Sequence, residues 1–121
     1  LKKVSNKDDA TNKAYLESII LNLITNSLKF KSENRALEIN ITASKIGNIT
    51  TILFSDNGIG IDLKRNRNKV FGLYQRFHNH SDSRGLGLYL VKSQVETMGG
   101  TIEIESEANK GTTFTLTFKN T

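Results

Sequence analysis

Apolar residues crowd most of one helical stretch, residues 15–30 (YLESIILNLITNSLKF), and leave a single narrow polar stripe. With ~100° between successive residues, Asn26 falls about 40° to one side of Asn22 and Lys29 about 20° to the other, with Thr25, Ser18 and Tyr15 nearby. Leu16, Ile19, Ile20, Leu21, Leu23, Ile24, Leu28 and Phe30 fill the remaining arc. Further on, Leu37, Ile39, Ile41 and Ala43 alternate with Glu38, Asn40, Thr42 and Ser44, which predicts a strand with one wet face. After a Gly47-Asn48 turn, residues 49–55 are apolar on both faces around Ile52, Leu53 and Phe54 and predict a central strand. Residues 70–77 are short and aromatic and predict a helical segment. Leu88, Val91, Val95 and Met98 recur at helical spacing until Gly99-Gly100 stops the helix. Residues 101–106 and 112–118 alternate at period two around ANKG and predict a closing hairpin.

The order helix, hairpin, loop, helix, hairpin predicts an α/β (α+β) two-layer sandwich, a mixed and largely antiparallel sheet with helices packed on one face. Residues 1–14 are polar and read as a lead-in holding at most a short edge strand, which leaves residues 15–121 as one domain. Thr11 or Asn12 is the expected cap of the first helix. A chain of 121 residues suffices for a single core. The absence of cysteine excludes disulfides, thiol chemistry and thiolate metal sites. No run reaches the ~18 apolar residues of a membrane span. The formal charge of +5 raises nucleic acid as a partner. The one basic cluster, Lys64, Arg65, Arg67 and Lys69, has no aromatic residue among it, so its side chains are expected to be solvated and no nucleic acid is expected.

Chemistry enters with the polar stripe. Asparagine is a poor interior helix residue because its amide competes for backbone hydrogen bonds. Two of them one turn apart, followed by a lysine, suit a hard cation and phosphate oxygens, as carboxamide and ammonium groups do. The plainer reading is a buried polar seam satisfied by neighbouring backbone. Asp56 closes the central strand, where a carboxylate accepts from an exocyclic amine and Gly58 and Gly60 admit a flat ring; the plainer reading is a tight turn. RGLGL, residues 84–88, puts Gly85 and Gly87 in a first helical turn, whose bare N–H groups bind phosphate or merely allow close packing. Gly111-Thr112-Thr113 opens the last strand.

The succession of these features closely resembles the ATP-binding catalytic domain of sensor histidine kinases. The stretch from Asn22 through Asn26, Ser27 and Lys29 to Phe30 is similar to that family's asparagine box, and DNGIGID to its first glycine box. FGLYQRF resembles its phenylalanine box, SRGLGL its second glycine box, and GTTF its last motif. The resemblance implies the Bergerat ATP-binding fold shared with gyrase, chaperone and mismatch-repair ATPases, with ATP and Mg²⁺ as cofactors. It implies that Asp56 pairs with the adenine amine, that Gly58, Gly60, Ile61 and Phe71 line the base side, and that Thr112 or Thr113 is near. Asn26 is implied to hold Mg²⁺ with help from Asn22, and Lys29 to reach phosphate. Residues 78–84 become a lid, Gly85, Leu86, Gly87 and Leu88 its phosphate-facing hinge, and Arg76 or Arg84 a phosphate contact. Ser83 stands where the family usually has glycine, which is expected to weaken nucleotide binding.

ATPase members of the superfamily carry a glutamate where this chain has Asn22. A carboxamide cannot activate water, so the resemblance implies a kinase rather than a hydrolase. The phosphorylated histidine is expected on a dimerisation domain outside this chain, with a response regulator downstream. His78 and His80, the only histidines, both fall in the lid. The alternatives are a degenerate nucleotide-binding regulatory module and, behind it, a clamp-type ATP hydrolase. A cytoplasmic setting without membrane contact by this domain is expected, whether or not a parent protein is membrane-anchored.

Overall fold

The computed structural model describes residues 6–67, 70–71 and 84–119, with residues 6–11, 65, 66 and 84–87 described by backbone alone. The first helix, α1 (Asn6–Lys29), leads into β1 (Ile39–Ile46) and β2 (Ile49–Asp56), then a single turn of helix, α2 (Leu63–Asn66). The chain continues through α3 (Arg84–Thr97), β3 (Thr101–Glu107) and β4 (Gly111–Lys119). The strands lie in the order β1-β2-β4-β3, and every neighbouring pair is antiparallel. The long connection through α2 and α3 lets β4 return beside β2, so the two hairpins form one sheet.

One face of this sheet carries Ile52, Phe54, Phe114, Leu116, Ile102 and Ile104, all buried. Ile19 and Leu23 of α1 and Leu88, Val91 and Val95 of α3 join them in one core. Each such side chain contributes about 1.5–3 kcal/mol by leaving water. Alternation along β4 is complete, with Thr112, Phe114, Leu116 and Phe118 buried and the intervening threonines turned to the other face.

The structure departs from the sequence reading in five places. Residues 6–14 belong to α1 instead of a lead-in, because neither proline nor glycine occurs between Asn6 and Phe30 to interrupt the helix. The buried arc of α1 is narrower than its apolar arc: Leu21 and Leu28 are 63% and 54% exposed. β1 is an edge strand lying beyond the helices, so Ile41 stays exposed and the strand has no fully buried face. β2 is central, yet Leu53 on its outer side is exposed, because no second layer covers that face. The basic run after Asp62 also contains α2, whose first turn is capped when Asp62 accepts a hydrogen bond from the Lys64 N–H at 3.1 Å. Of the aromatic segment 70–77, only Val70 and Phe71 are among the described residues; its remainder and residues 78–83 of the predicted lid lie outside them, while Arg84, predicted as the last lid residue, opens α3.

Candidate functional site

Asp56 is the last residue of β2 and pairs in register with Thr112 of β4. Its two carboxylate oxygens are already engaged by protein. Oδ2 accepts from the Ser27 hydroxyl at 2.7 Å, and Oδ1 accepts from the Gly58 N–H at 2.9 Å. An ionised carboxylate has about four acceptor positions, so two remain for an incoming donor. Thr112 shares the Asp56 face, with its hydroxyl 2.8 Å from that of Ser106. Ser106 in turn donates to the Gly111 carbonyl and accepts from the Ile61 N–H, each at 2.8 Å. Thr113 points to the opposite face of the sheet, 2.9 Å from the Ser55 hydroxyl. Between the two threonines, strand alternation therefore selects Thr112 as the neighbour of Asp56.

The turn after Asp56 is wedged between the end of α1 and the β3–β4 hairpin. A Cβ on Gly58 would stand 2.6 Å from the Phe30 carbonyl oxygen. Gly60 has φ +75°, and a Cβ there would meet the Glu107 carbonyl at 2.1 Å. Both glycines thus answer to protein backbone packed against them, which is the turn-and-packing reading of this motif. Ile59 binds Phe30 and Asn109 through backbone hydrogen bonds of 3.0 and 2.7 Å. Asn57 ties the turn to the lead into β1, accepting from the Glu38 N–H at 2.8 Å and donating to the Ala36 carbonyl at 2.9 Å. Arg35 completes the frame, donating to the carbonyls of Asn57, Gly58 and Asn109 at 2.8, 2.9 and 2.8 Å.

The asparagine stripe is built differently. Asn26 is 7% exposed, and its Oδ1 is buried with no hydrogen-bond partner among the described residues. Asn22, one turn earlier, is half-buried, and Lys29 is exposed at the end of α1. Ser18, the next residue back along the stripe, accepts from Gln94 Nε2 of α3 at 3.0 Å. Arg84, Gly85, Leu86 and Gly87 form the first turn of α3, as the sequence predicts. Among the described residues, no group of three or more His, Cys, Asp or Glu side chains could hold a metal. A cation at this stripe would take carboxamide oxygen from Asn26 and Asn22 and its remaining ligands from phosphate and water.

Other residues named from the sequence have different surroundings. Ile61 and Leu88 are fully buried in the core, so their side chains underlie the site and do not line open surface. Phe71 is half-buried, tilted 58° against Phe114 at 6.4 Å between ring centroids, with Lys92 Nζ 5.7 Å from its ring centre. Arg76, His78, His80 and Ser83 lie outside the described residues. Sequence reasoning missed the roles of Ser27 and Arg35. Ser27 had a signal: a small hydroxyl at ~100° from Asn26, placed inside the apolar arc. Arg35 had none, since its partners are 22, 23 and 74 residues away along the chain.

The model of the family described as histidine kinase-, DNA gyrase B- and HSP90-like ATPase matches residues 11–121. The heme sensor protein HssS of Staphylococcus saprophyticus is 35% identical over 108 residues, covering 89% of this chain and 23% of that protein. The mycobacterial sensor histidine kinase MprB superposes with a TM-score of 0.73 at 21% identity, over 88% of this chain and 72% of that one, which shows a common fold. Full-length ShkA, solved in complex with AMPPNP, gives a TM-score of 0.69 at 27% identity, over 88% of this chain and 22% of that one. The chain thus spans about a quarter of the curated relative and belongs to the histidine kinase-, DNA gyrase B- and HSP90-like ATPase family.

Proposed function

We propose that this domain holds ATP and Mg²⁺ between Asp56 and the asparagine stripe and gives the γ-phosphate to a histidine on a dimerisation domain outside this chain. A response regulator would then receive the phosphoryl group, in a two-component pathway. The observation carrying this reading is the Asn26 oxygen, buried and without a partner among the described residues. Leaving such an acceptor unpaired costs about 1–3 kcal/mol, a cost that a ligand supplying a positive centre removes. When bound, Mg²⁺ neutralises charge on the phosphates and draws them to the carboxamides.

The remaining work falls to the chain's own groups. Asp56 has two acceptor positions left for an exocyclic amine, and Ser27 and the Gly58 N–H fix how its carboxylate faces the cleft. Thr112 supplies a hydroxyl on the same face. Lys29 offers an ammonium near the end of α1, and the amides of Gly85 and Gly87 open α3, where phosphate binds favourably. No carboxylate occupies the Asn22 position, so water lacks a base there and ATP persists until the histidine arrives. No helix among the described residues is long and apolar enough to cross a membrane. We place the domain on the cytoplasmic side, where ATP is available.

The test mixes the domain with terminally radiolabelled ATP, Mg²⁺ and the dimerisation hairpin of its parent kinase. Acid-labile label on the hairpin's histidine is the expected result. Tight nucleotide binding without label would favour a regulatory module, and steady phosphate release without the hairpin would favour a hydrolase.

A further inference from the structure

We infer that Arg35 is a positioning residue for nucleotide-base recognition, acting through the turn that follows Asp56. This inference rests on the nucleotide-binding reading above and adds a residue outside every motif that supports it. One guanidinium reaches three carbonyls belonging to two separate segments: Asn57 and Gly58 in the turn, and Asn109 in the β3–β4 hairpin. Those segments also meet through the backbone bond from the Asn109 N–H to the Ile59 carbonyl, the Ile61 N–H bond to the Ser106 hydroxyl and the packing of Gly60 on Glu107. Arg35 therefore cross-braces the two walls behind Asp56.

The chemistry requires arginine. The guanidinium Nε and Nη2 donate in fixed directions, and Nη2 is shared between Gly58 and Asn109. A lysine ammonium is a single point on a flexible stem and cannot hold three carbonyls at this spread. Without the brace, the Asn57 and Gly58 carbonyls lose their side-chain donor, and the turn is left with its bonds to Phe30, Ala36, Glu38 and the hairpin. The Gly58 N–H that orients Asp56 Oδ1 is then held less firmly. The site keeps its carboxylate but loses the angle at which it meets a base. Arg35 lies beyond the end of α1, and its three bonds go to Asn57, Gly58 and Asn109, not to Asn22 or Asn26, so the contacts at the phosphate end should be kept.

The experiment compares the parent domain with Arg35→Ala and Arg35→Lys by calorimetric titration with ADP free of magnesium, ATP with magnesium, and GTP with magnesium. Each variant is first checked for folding by circular dichroism. Both variants should lose about tenfold in affinity for ADP and for ATP alike, because the defect is at the base. The preference for ATP over GTP should narrow in both. Amide NMR shifts should move at Asp56 and Gly58 and stay in place at Asn22. Parent-like affinities in folded variants overturn the inference, as does a loss confined to magnesium complexes or an unchanged ATP preference. If Arg35→Ala does not fold, Arg35→Lys decides alone. A parent domain that binds no adenine nucleotide refutes the nucleotide reading itself, a result distinct from failure of the brace.

Discussion

Two ends of the proposed site are built on different terms. At the Asp56 end, carboxylate, hydroxyls and turn amides bind one another: Ser27 and Gly58 hold Asp56, Ser106 holds Thr112, and Arg35 holds the turn. At the stripe end, the buried Asn26 oxygen has no partner among the described residues, within a helix that runs unbroken from Asn6 to Lys29. A group already paired in the free protein changes little when a ligand arrives, so the Asp56 end is organised in advance. An unpaired buried acceptor works in the other direction: the free protein is less stable, and a ligand gains what the fold gives up. In the proposed function, the contrast separates recognition of the base, which needs shape, from capture of the charged end, which needs an unmet demand.

The largest effect tests whether the Asp56 end is rigid. Gly60→Ala places a methyl group 2.1 Å from the Glu107 carbonyl oxygen, at a φ of +75°. Strain and collision together should cost about 3 kcal/mol of folding stability. Urea unfolding measures this directly. A loss below about 1 kcal/mol would mean that the turn moves aside freely, and the claim of advance organisation would be wrong.

Next in size is Asp56→Asn, which should lower ATP affinity about a hundredfold. The fold should survive, because the Ser27 hydroxyl can reverse and accept from the new amide while Gly58 keeps its oxygen. What is lost is an acceptor for the base. Calorimetry supplies the affinity and a thermal melt supplies the control; an unchanged affinity would remove Asp56 from the site.

Much of this arrangement could be read from residue order, and the physical reason is local. Strand alternation around Phe114, helical spacing from Leu88 to Val95 and the glycine stop after Met98 each depend on neighbours a few residues away, so they survive reading one stretch at a time. The asparagine stripe was legible for the same reason. The extent of burial was not. Leu21 and Leu28 are as apolar as Leu23, but only the packing of α1 against the sheet and α3 decides which of them meets the core. Ile41 has the pattern of a buried strand position and loses its cover because β1 is the edge. Gly58 reads in the sequence either as room for a ring or as a tight turn, and the Phe30 carbonyl packed beside it comes from another part of the chain. The Arg35 and Ser27 contacts are long-range as well.

Asn26→Ala addresses the stripe end and carries an opposite sign for stability. The substitution should remove the magnesium-dependent part of ATP binding, about tenfold. It should leave the melting temperature unchanged or raised, since Asn26 Oδ1 makes no hydrogen bond that could be lost and alanine is the better helix former. A thermal melt with and without ligand reads both. Destabilisation by more than about 1 kcal/mol would show that this oxygen has a partner in the free protein, and the two ends would no longer differ in kind.

Ser27→Ala should have the smallest effect and separates the two ends most cleanly. It removes the hydroxyl that donates to Asp56 Oδ2 and leaves the Gly58 N–H on Oδ1. A net loss of about 1 kcal/mol corresponds to roughly fivefold weaker binding, with part of the stability loss offset by alanine's helix propensity. Because Ser27 acts on the carboxylate, the factor should be the same for ADP without magnesium as for ATP with it. Asn26→Ala should spare the first ligand and weaken only the second. Titrating both ligands into both variants gives four ratios, and a Ser27→Ala defect that appears only with magnesium would mean that the two adjacent residues serve one site.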